Sequence, residues 1–277
     1  MDDRSYRRAV TRAFGKAQKK INKFRAKCFY PDCSLYAIDS HSQQKLGQLR
    51  AIAENGEVYG MQRNHYQTLK KVPDSPFLVR TRISEASTFK GYCSKHDKAI
   101  VEPIELRPLE RNDEEQSFVF FARAFSFEFA QKRRALEWST IIIEEVRNFA
   151  ARELIEYLEL MREGKAALFR QDAPYYMNSI FSALDNRDFS GLSTIWKTVN
   201  KNIGMSTCSV FSPLLDKHED HMKNTRGTPQ PMVSFNLVPG ESITNVITSW
   251  LPNSGALCDW IINEVDTKKG LERMALT

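Results

Sequence analysis

The sequence predicts an α+β fold, because helical and strand-type patterns occupy different parts of the chain. Apolar residues recur every three or four positions near the N-terminus and again in two long segments between residues 112 and 163. Beyond residue 207 the pattern changes to short runs of β-branched and aromatic residues bounded by Pro and Gly. At 277 residues, the chain is long enough for one large domain or two ordinary ones.

Composition narrows the class of protein. An apolar content of 42% and a charged content of 27% are those of a soluble globular protein. No run approaches the roughly 20 apolar residues of a membrane span, and the acidic start at Asp2 and Asp3 does not resemble a secretory signal. The cysteines number five, and three of them have metal-type spacing. We therefore expect a reducing, cytoplasmic setting rather than a disulfide framework, and no membrane partner.

The N-terminal segment predicts a basic amphipathic helix over residues 5–27. Residues 1–27 contain ten Lys or Arg against Asp2 and Asp3, a net charge of +8 in a chain whose total is +6. Charge concentrated in this way favours a polyanionic partner, with nucleic acid ahead of an acidic membrane surface, although a solvated helix face would look the same. The residues predicted to contact nucleic acid are Arg7, Arg8, Arg12, Lys16, Lys19, Lys20 and Lys23.

Two ligand pairs predict a metal site. Cys28 and Cys33 are separated by four residues, and Cys93 and His96 by two. Zinc takes four Cys or His ligands in a tetrahedron, and two pairs from short turns supply them. We therefore expect one structural zinc ion; the alternative is three buried cysteines without a metal. His41 is a second candidate for the fourth ligand.

The residues between the two ligand pairs, and those after His96, give weaker signals for secondary structure. A helix is expected over residues 43–54, ended by Asn55-Gly56, and a short strand at Val58-Tyr59. Residues 62–82 look like a long polar loop. Residues 98–109 contain Pro103 and Pro108, so we expect an extended linker there.

The order of these features resembles treble-clef zinc proteins of the HNH nuclease type. After Cys28 and Cys33 comes Ile38-Asp39-Ser40-His41, and Cys93 and His96 open a later segment. The resemblance covers residues 28–97 at most. It implies a structural zinc on the four ligands, His41 as general base with Asp39 as its acidic neighbour, and a second divalent ion, magnesium or manganese, at the phosphate. In that family Asp directly precedes His, whereas Ser40 intervenes here. The pattern also resembles uncharacterised bacterial proteins.

The second half predicts a helical hairpin and then strands. Asn112 and Glu115 have capping-box spacing ahead of a Phe-rich helix, and a second helix spans residues 138–163. Pro174 suits the first turn of a third helix over 175–184, and a short helix is expected at 191–199. Strands are expected at 208–211, 232–238 and 242–251, and a last helix at 257–265. His218 and His221 fall in an expected polar loop.

The predicted organisation has three parts. Residues 1–27 form the basic helix, residues 28–110 a zinc-binding, HNH-like module of treble-clef type, and residues 111–277 a helical domain with C-terminal strands. The function expected first is a zinc-stabilised nucleic-acid-binding protein of bacterial type. The alternatives are a divergent HNH-like metal-dependent nuclease from a defence or mobile-element setting, and a zinc-stabilised scaffold for protein interaction.

Overall fold

A computed structural model describes residues 2–61, 78–212 and 227–254 of the chain. Its helices are α1 (Asp3–Ile21), α2 (Arg50–Ile52, after a turn of π-helix at Lys45–Leu49), α3 (Ser94–Glu105), α4 (Glu114–Val146) and α5 (Arg152–Asn186). Its strands are β1 (Ser40–His41), β2 (Glu57–Met61), β3 (Leu78–Arg82), β4 (Thr88–Phe89), β5 (Ser193–Val199), β6 (Thr207–Phe211), β7 (Val233–Pro239) and β8 (Thr244–Trp250). Helices and strands are both abundant, so the protein is of mixed, α+β type.

Helix α1 lies against α4. It begins at Asp2, whose carboxylate accepts a hydrogen bond from the backbone N–H of Ser5, and it buries Ala13, Ala17 and Ile21. The predicted helix is therefore confirmed, but it ends at Ile21 rather than at residue 27. Residues beyond it become extended because the Ala26 carbonyl accepts a hydrogen bond from Ala37.

Helices α4 and α5 form the predicted hairpin, but its turn lies later in the chain than expected. Helix α4 starts after Asp113, whose side chain caps Gln116 N–H, and it continues to Val146. Pro174 lies inside α5 rather than at the start of a third helix. Its exposed position lets solvent reach the carbonyl group that loses its helical partner.

The C-terminal half forms one antiparallel sheet in the order β5-β8-β7-β6, and α4 packs against it. Strands β6, β7 and β8 confirm the three predicted strands. The helix expected at residues 191–199 is wrong, since β5 pairs along its whole length with β8. Its run of Thr, Ile, Trp and Val is typical of strands, and Trp196 packs edge-on against Phe120 of α4.

Three other expectations change in the first half. The linker expected over 98–109 is wrong, because α3 continues through Pro103 to Glu105 and buries Ile100 and Ile104. The helix expected at 43–54 is reduced to the π-helical turn and α2. The end of the expected 62–82 loop is strand β3, which pairs with β2. The rest of that loop, His218 and His221, and the helix expected at 257–265 lie outside the described residues.

Among the described residues, no helix has both the length and the apolar character needed to cross a bilayer.

Candidate metal centre and basic surface

Four of the predicted ligands converge on one point. The Sγ atoms of Cys28, Cys33 and Cys93 and a ring nitrogen of His96 all lie within 4.8 Å of one another. His96 Nδ1 is 3.4 Å from both Cys28 Sγ and Cys93 Sγ, and the Cys33 and Cys93 sulfurs are 3.9 Å apart. This Cys3His cluster can hold a metal ion. The structure does not bring His41 into it.

Two short backbone motifs hold the four ligands. In the first, Cys33 N–H bonds to the Tyr30 carbonyl, and Asp32 takes a positive φ of 57°, which closes the turn from Cys28 to Cys33. In the second, Cys93 is the N-cap of α3, so His96 lies in the first turn of the helix on the side of the cluster. Phe29 N–H bonds to the Gly91 carbonyl and thereby joins the two motifs.

Burial shifts the pKa values of three of the four candidate ligands. Burial raises the pKa of Cys28 to about 11. Burial also opposes ionisation of Cys93, but hydrogen bonds from the His96 backbone and from the neighbouring thiols outweigh it and lower the Cys93 pKa. Burial lowers the pKa of His96, which keeps its imidazole neutral and leaves a lone pair for a metal. A metal would then have to displace only thiol protons.

Aromatic residues connect the cluster to the helical hairpin. The Tyr30 ring stacks on the His96 ring at 4.1 Å, nearly parallel, and its hydroxyl donates a hydrogen bond to Asp185 of α5. Tyr92, immediately before Cys93, is fully buried and hydrogen-bonds to Ser126 of α4 over 2.6 Å. Cys28, Tyr92 and Cys93 thus belong to the same hydrophobic core as the centre of α4.

Arg133 of α4 donates hydrogen bonds to the backbone beside both ligand motifs. Its guanidinium donates to the Lys27 carbonyl at 2.9 Å and to the Lys90 carbonyl at 2.6 Å, and it lies 3.9 Å from the Phe29 ring centroid. Burial lowers the pKa of Arg133 to about 10. Sequence analysis missed this residue, because its partners are backbone carbonyls more than 40 positions away.

His41 and Asp39, the candidate nuclease residues, occupy a different place. His41 ends the two-residue strand β1, and its carbonyl accepts hydrogen bonds from the buried Arg123. The Asp39 carboxylate is 2.9 Å from Lys90 Nζ, so its charge is already balanced. Within residues 2–61, 78–212 and 227–254, the Cys3His cluster is the only group of three or more potential ligands with metal-binding geometry.

The seven basic residues predicted to contact nucleic acid are all exposed on or just after α1. Lys16 and Lys20 turn towards Glu145 of α4, and Lys20 Nζ lies 2.6 Å from its carboxylate. Arg7 pairs with Asp3 in the same helix. Arg8, Arg12, Lys19 and Lys23 remain without an ion pair to any residue that the structure describes.

A second basic feature lies beside the cysteine turn. Arg25 and Lys27 lie over the ring of Tyr36, at 4.0 and 4.7 Å from its centroid. Tyr36 is 45% exposed, between the exposed Leu35 and Ile38. The sequence shows these residue types but not their proximity, which arises because Lys27 and Tyr36 form a β-bridge.

Comparison with known proteins adds no relative: a scan against protein-family models, a search of curated proteins and a search of solved structures each found no match.

Proposed function

We propose that this chain is a nucleic-acid-binding protein whose N-terminal half is stabilised by one zinc ion. The observation that carries the nucleic-acid part is a row of cations along the outer face of α1 that have no ion-pair partner among the described residues, while the opposite face of the helix is buried. The Cys3His cluster carries the zinc part.

Zinc fits the cluster better than harder metals. Three sulfur ligands and one imidazole are a common zinc set, whereas magnesium and calcium take oxygen ligands. In a tetrahedral site with zinc–sulfur bonds of about 2.3 Å and a zinc–nitrogen bond of about 2.0 Å, neighbouring sulfurs lie about 3.8 Å apart and a sulfur and nitrogen about 3.5 Å apart. The corresponding separations here are 3.9 Å and 3.4 Å.

The order of elements around the cluster supports a treble-clef arrangement. A cysteine turn comes first, an antiparallel pair of strands (β1 with β4) follows, and α3 supplies the second ligand pair from its start. The long segment between β1 and β4, which includes β2 and β3, is inserted between the paired strands. The zinc would thus hold both ends of this insertion together.

The basic row suits a phosphate backbone. At 3.6 residues per turn, Arg8, Arg12 and Lys19 lie within about 40° of one another on α1, opposite Ala13, Ala17 and Ile21. Lys23 continues the row just beyond the helix. Among the described residues, the carboxylates that pair with α1, Asp3 and Glu145, contact other cations than those of the row. Lys and Arg in such an array bind phosphates with a strong dependence on salt.

The test is a charge reversal on this row. Arg8, Arg12, Lys19 and Lys23 would be changed together to Glu, leaving Lys16 and Lys20 with Glu145. A control variant changes Lys98, Arg111, Arg147 and Lys201 to Glu, which alters the net charge by the same amount at exposed positions outside α1. Fluorescence anisotropy with labelled duplex and single-stranded DNA and RNA, from 50 to 300 mM salt, measures binding.

We expect wild type and control to bind with an affinity that falls steeply with salt, and the α1 variant to lose most binding while keeping its circular dichroism spectrum and zinc content. Equal binding by both variants would contradict the proposal, since the effect would then reflect total charge. No binding by wild type at low salt would refute it outright.

An exposed apolar stripe favours a second candidate function, which is association through α5. Tyr157, Leu160, Met161 and Leu168 follow helical spacing and are 37–72% exposed. Along residues 153–170 of α5, Glu153, Glu156 and Glu159 come before Arg162, Lys165 and Arg170, with Glu163 among the basic residues. An antiparallel second copy of α5 would therefore place opposite charges beside each other along the stripe.

Sedimentation of the wild type and of Leu160→Glu distinguishes this candidate. A dimer in the wild type that becomes a monomer in the variant supports association through α5. A wild-type monomer at concentrations of about 100 μM would contradict it, and would leave the nucleic-acid proposal unaffected.

A further inference from the structure

A cleft of about 230 Å³ lies where the end of α1, the paired strands β1 and β4, and the middle of α4 meet. It is separate from the outward row of cations on α1, because α1 contributes Gln18 and Ile21 to it rather than its basic residues. Polar and apolar groups both line the cleft, so its occupant should combine the two kinds of surface.

The cleft carries positive charge that the described residues do not balance. Arg133 and Arg134 line it, and neither forms an ion pair with a carboxylate that the structure describes. Arg134 donates to the Asn22 side chain over 2.9 Å, and Arg133 donates to backbone carbonyls. Among the described residues that line the cleft, Asp39 alone carries a carboxylate, and it is paired with Lys90. Burial lowers the pKa of both arginines, and the Asp39 carboxylate opposes this shift at Arg134.

Aromatic rings form the apolar part of the wall. Phe24 enters from the segment after α1, Phe89 from β4 and Trp138 from α4. Planar rings of this kind stack with nucleobases, and guanidinium groups bind phosphate oxygens through paired N–H donors. A carboxylate or inorganic phosphate would use only the arginines, whereas a nucleotide would use both parts of the wall.

We propose that this cleft binds one nucleotide of an unpaired strand, with the phosphate at Arg134 and the base against the aromatic wall. This assignment rests on the proposed nucleic-acid function and specifies it: the α1 row would follow the backbone, and the cleft would take a base that is not stacked in a duplex.

Isothermal titration with adenosine 5′-monophosphate and with inorganic phosphate tests the cleft directly. Two variants alter it independently: Arg134→Ala removes the unpaired cation, and Ala135→Leu adds bulk from a lining residue while keeping a good helix former. Arg147→Ala, an exposed position at the end of α4, removes the same charge outside the cleft. Circular dichroism and zinc content confirm that each variant is folded.

We expect the nucleotide to bind wild type and Arg147→Ala alike, and to bind Arg134→Ala and Ala135→Leu at least about tenfold more weakly. Inorganic phosphate that binds as tightly as the nucleotide would overturn the assignment, and so would an equal loss in Arg147→Ala. A wild type that binds DNA or RNA but not the nucleotide refutes the cleft alone. A wild type that binds the nucleotide but no polynucleotide refutes the proposed function and retains the cleft.

Discussion

His96 Nδ1 lies 3.4 Å from Cys28 Sγ, although the two residues are 68 positions apart in the chain. Almost all of the intervening residues belong to the turn at Cys33, the strand β1 and the insertion that returns at β4. A metal bound between these two atoms would therefore close a long loop, which gives it a large effect on the conformational freedom of the unfolded chain.

Replacing Cys28 or Cys93 with Ser should remove the metal. Each substitution replaces a thiolate with a much poorer zinc ligand, and the binding energy of a structural zinc contributes directly to folding. We expect about one zinc per wild-type chain by mass spectrometry of metals, close to none in either variant, and a clearly lower melting temperature. Cys208→Ser is the control, since Cys208 is buried in β6 away from the cluster. Wild-type protein free of zinc, or variants that retain it, would contradict this prediction.

Arg133→Ala should destabilise the protein and weaken its hold on zinc. The substitution removes two charge-assisted hydrogen bonds to the carbonyls of Lys27 and Lys90 and the contact with the Phe29 ring. We expect a loss of about 2–4 kcal/mol in the free energy of unfolding, measured with urea. Arg133→Lys should recover only part of it, because a single ammonium group cannot reproduce the planar fork. Full recovery by Lys would show that charge alone matters.

Tyr36→Ala should weaken binding of single-stranded nucleic acid more than binding of duplex. The Tyr36 ring is half exposed, with Arg25 and Lys27 over it, so a base that stacks on the ring would displace a cation, which could then approach the phosphates. Stacking on one aromatic ring is worth about 1–3 kcal/mol per base, which anisotropy titrations resolve. Tyr36→Phe keeps the ring and should bind as the wild type does. An equal loss in both variants would assign the effect to the hydroxyl group instead.

The ligand cluster and the basic helix could be predicted because their signals are local. Pairs such as Cys93 and His96 are close in sequence, and the period of α1 is visible in its apolar residues. The errors arose where tertiary contacts decide the outcome. Pro103 predicts a linker, and Pro174 predicts the start of a helix. In the structure both lie inside helices, α3 and α5, whose buried residues pack against the rest of the protein. Strand β5 was assigned to a helix because its partner, β8, lies some 50 residues further on.

The residues that contact the two ligand motifs could not be predicted from the sequence, for a related reason. Arg133 acts on backbone carbonyls of Lys27 and Lys90, and backbone groups carry no sequence signal. Likewise, the resemblance implies Asp39 as the acidic neighbour of His41, but its carboxylate pairs with Lys90, the residue that follows β4. Only the register of β1 with β4 reveals that partner.

The last prediction concerns His41 and separates a binding protein from a nuclease. An HNH-type reaction needs a neutral His as general base and a divalent ion at the phosphate. Here the Asp39 carboxylate forms an ion pair with Lys90. The residues that the structure describes contain no second cluster of three metal ligands. We therefore expect no strong cleavage of plasmid or single-stranded DNA by the wild type with magnesium or manganese. His41→Ala should lower stability modestly, because it removes a half-buried imidazole, whereas the pairing with Thr88 and the carbonyl that accepts from Arg123 are backbone contacts that alanine keeps. Its zinc content should be unchanged, unlike that of His96→Ala, which removes a ligand. Robust metal-dependent cleavage that His41→Ala abolishes, with fold and zinc retained, would reverse this conclusion and make the nuclease the leading function.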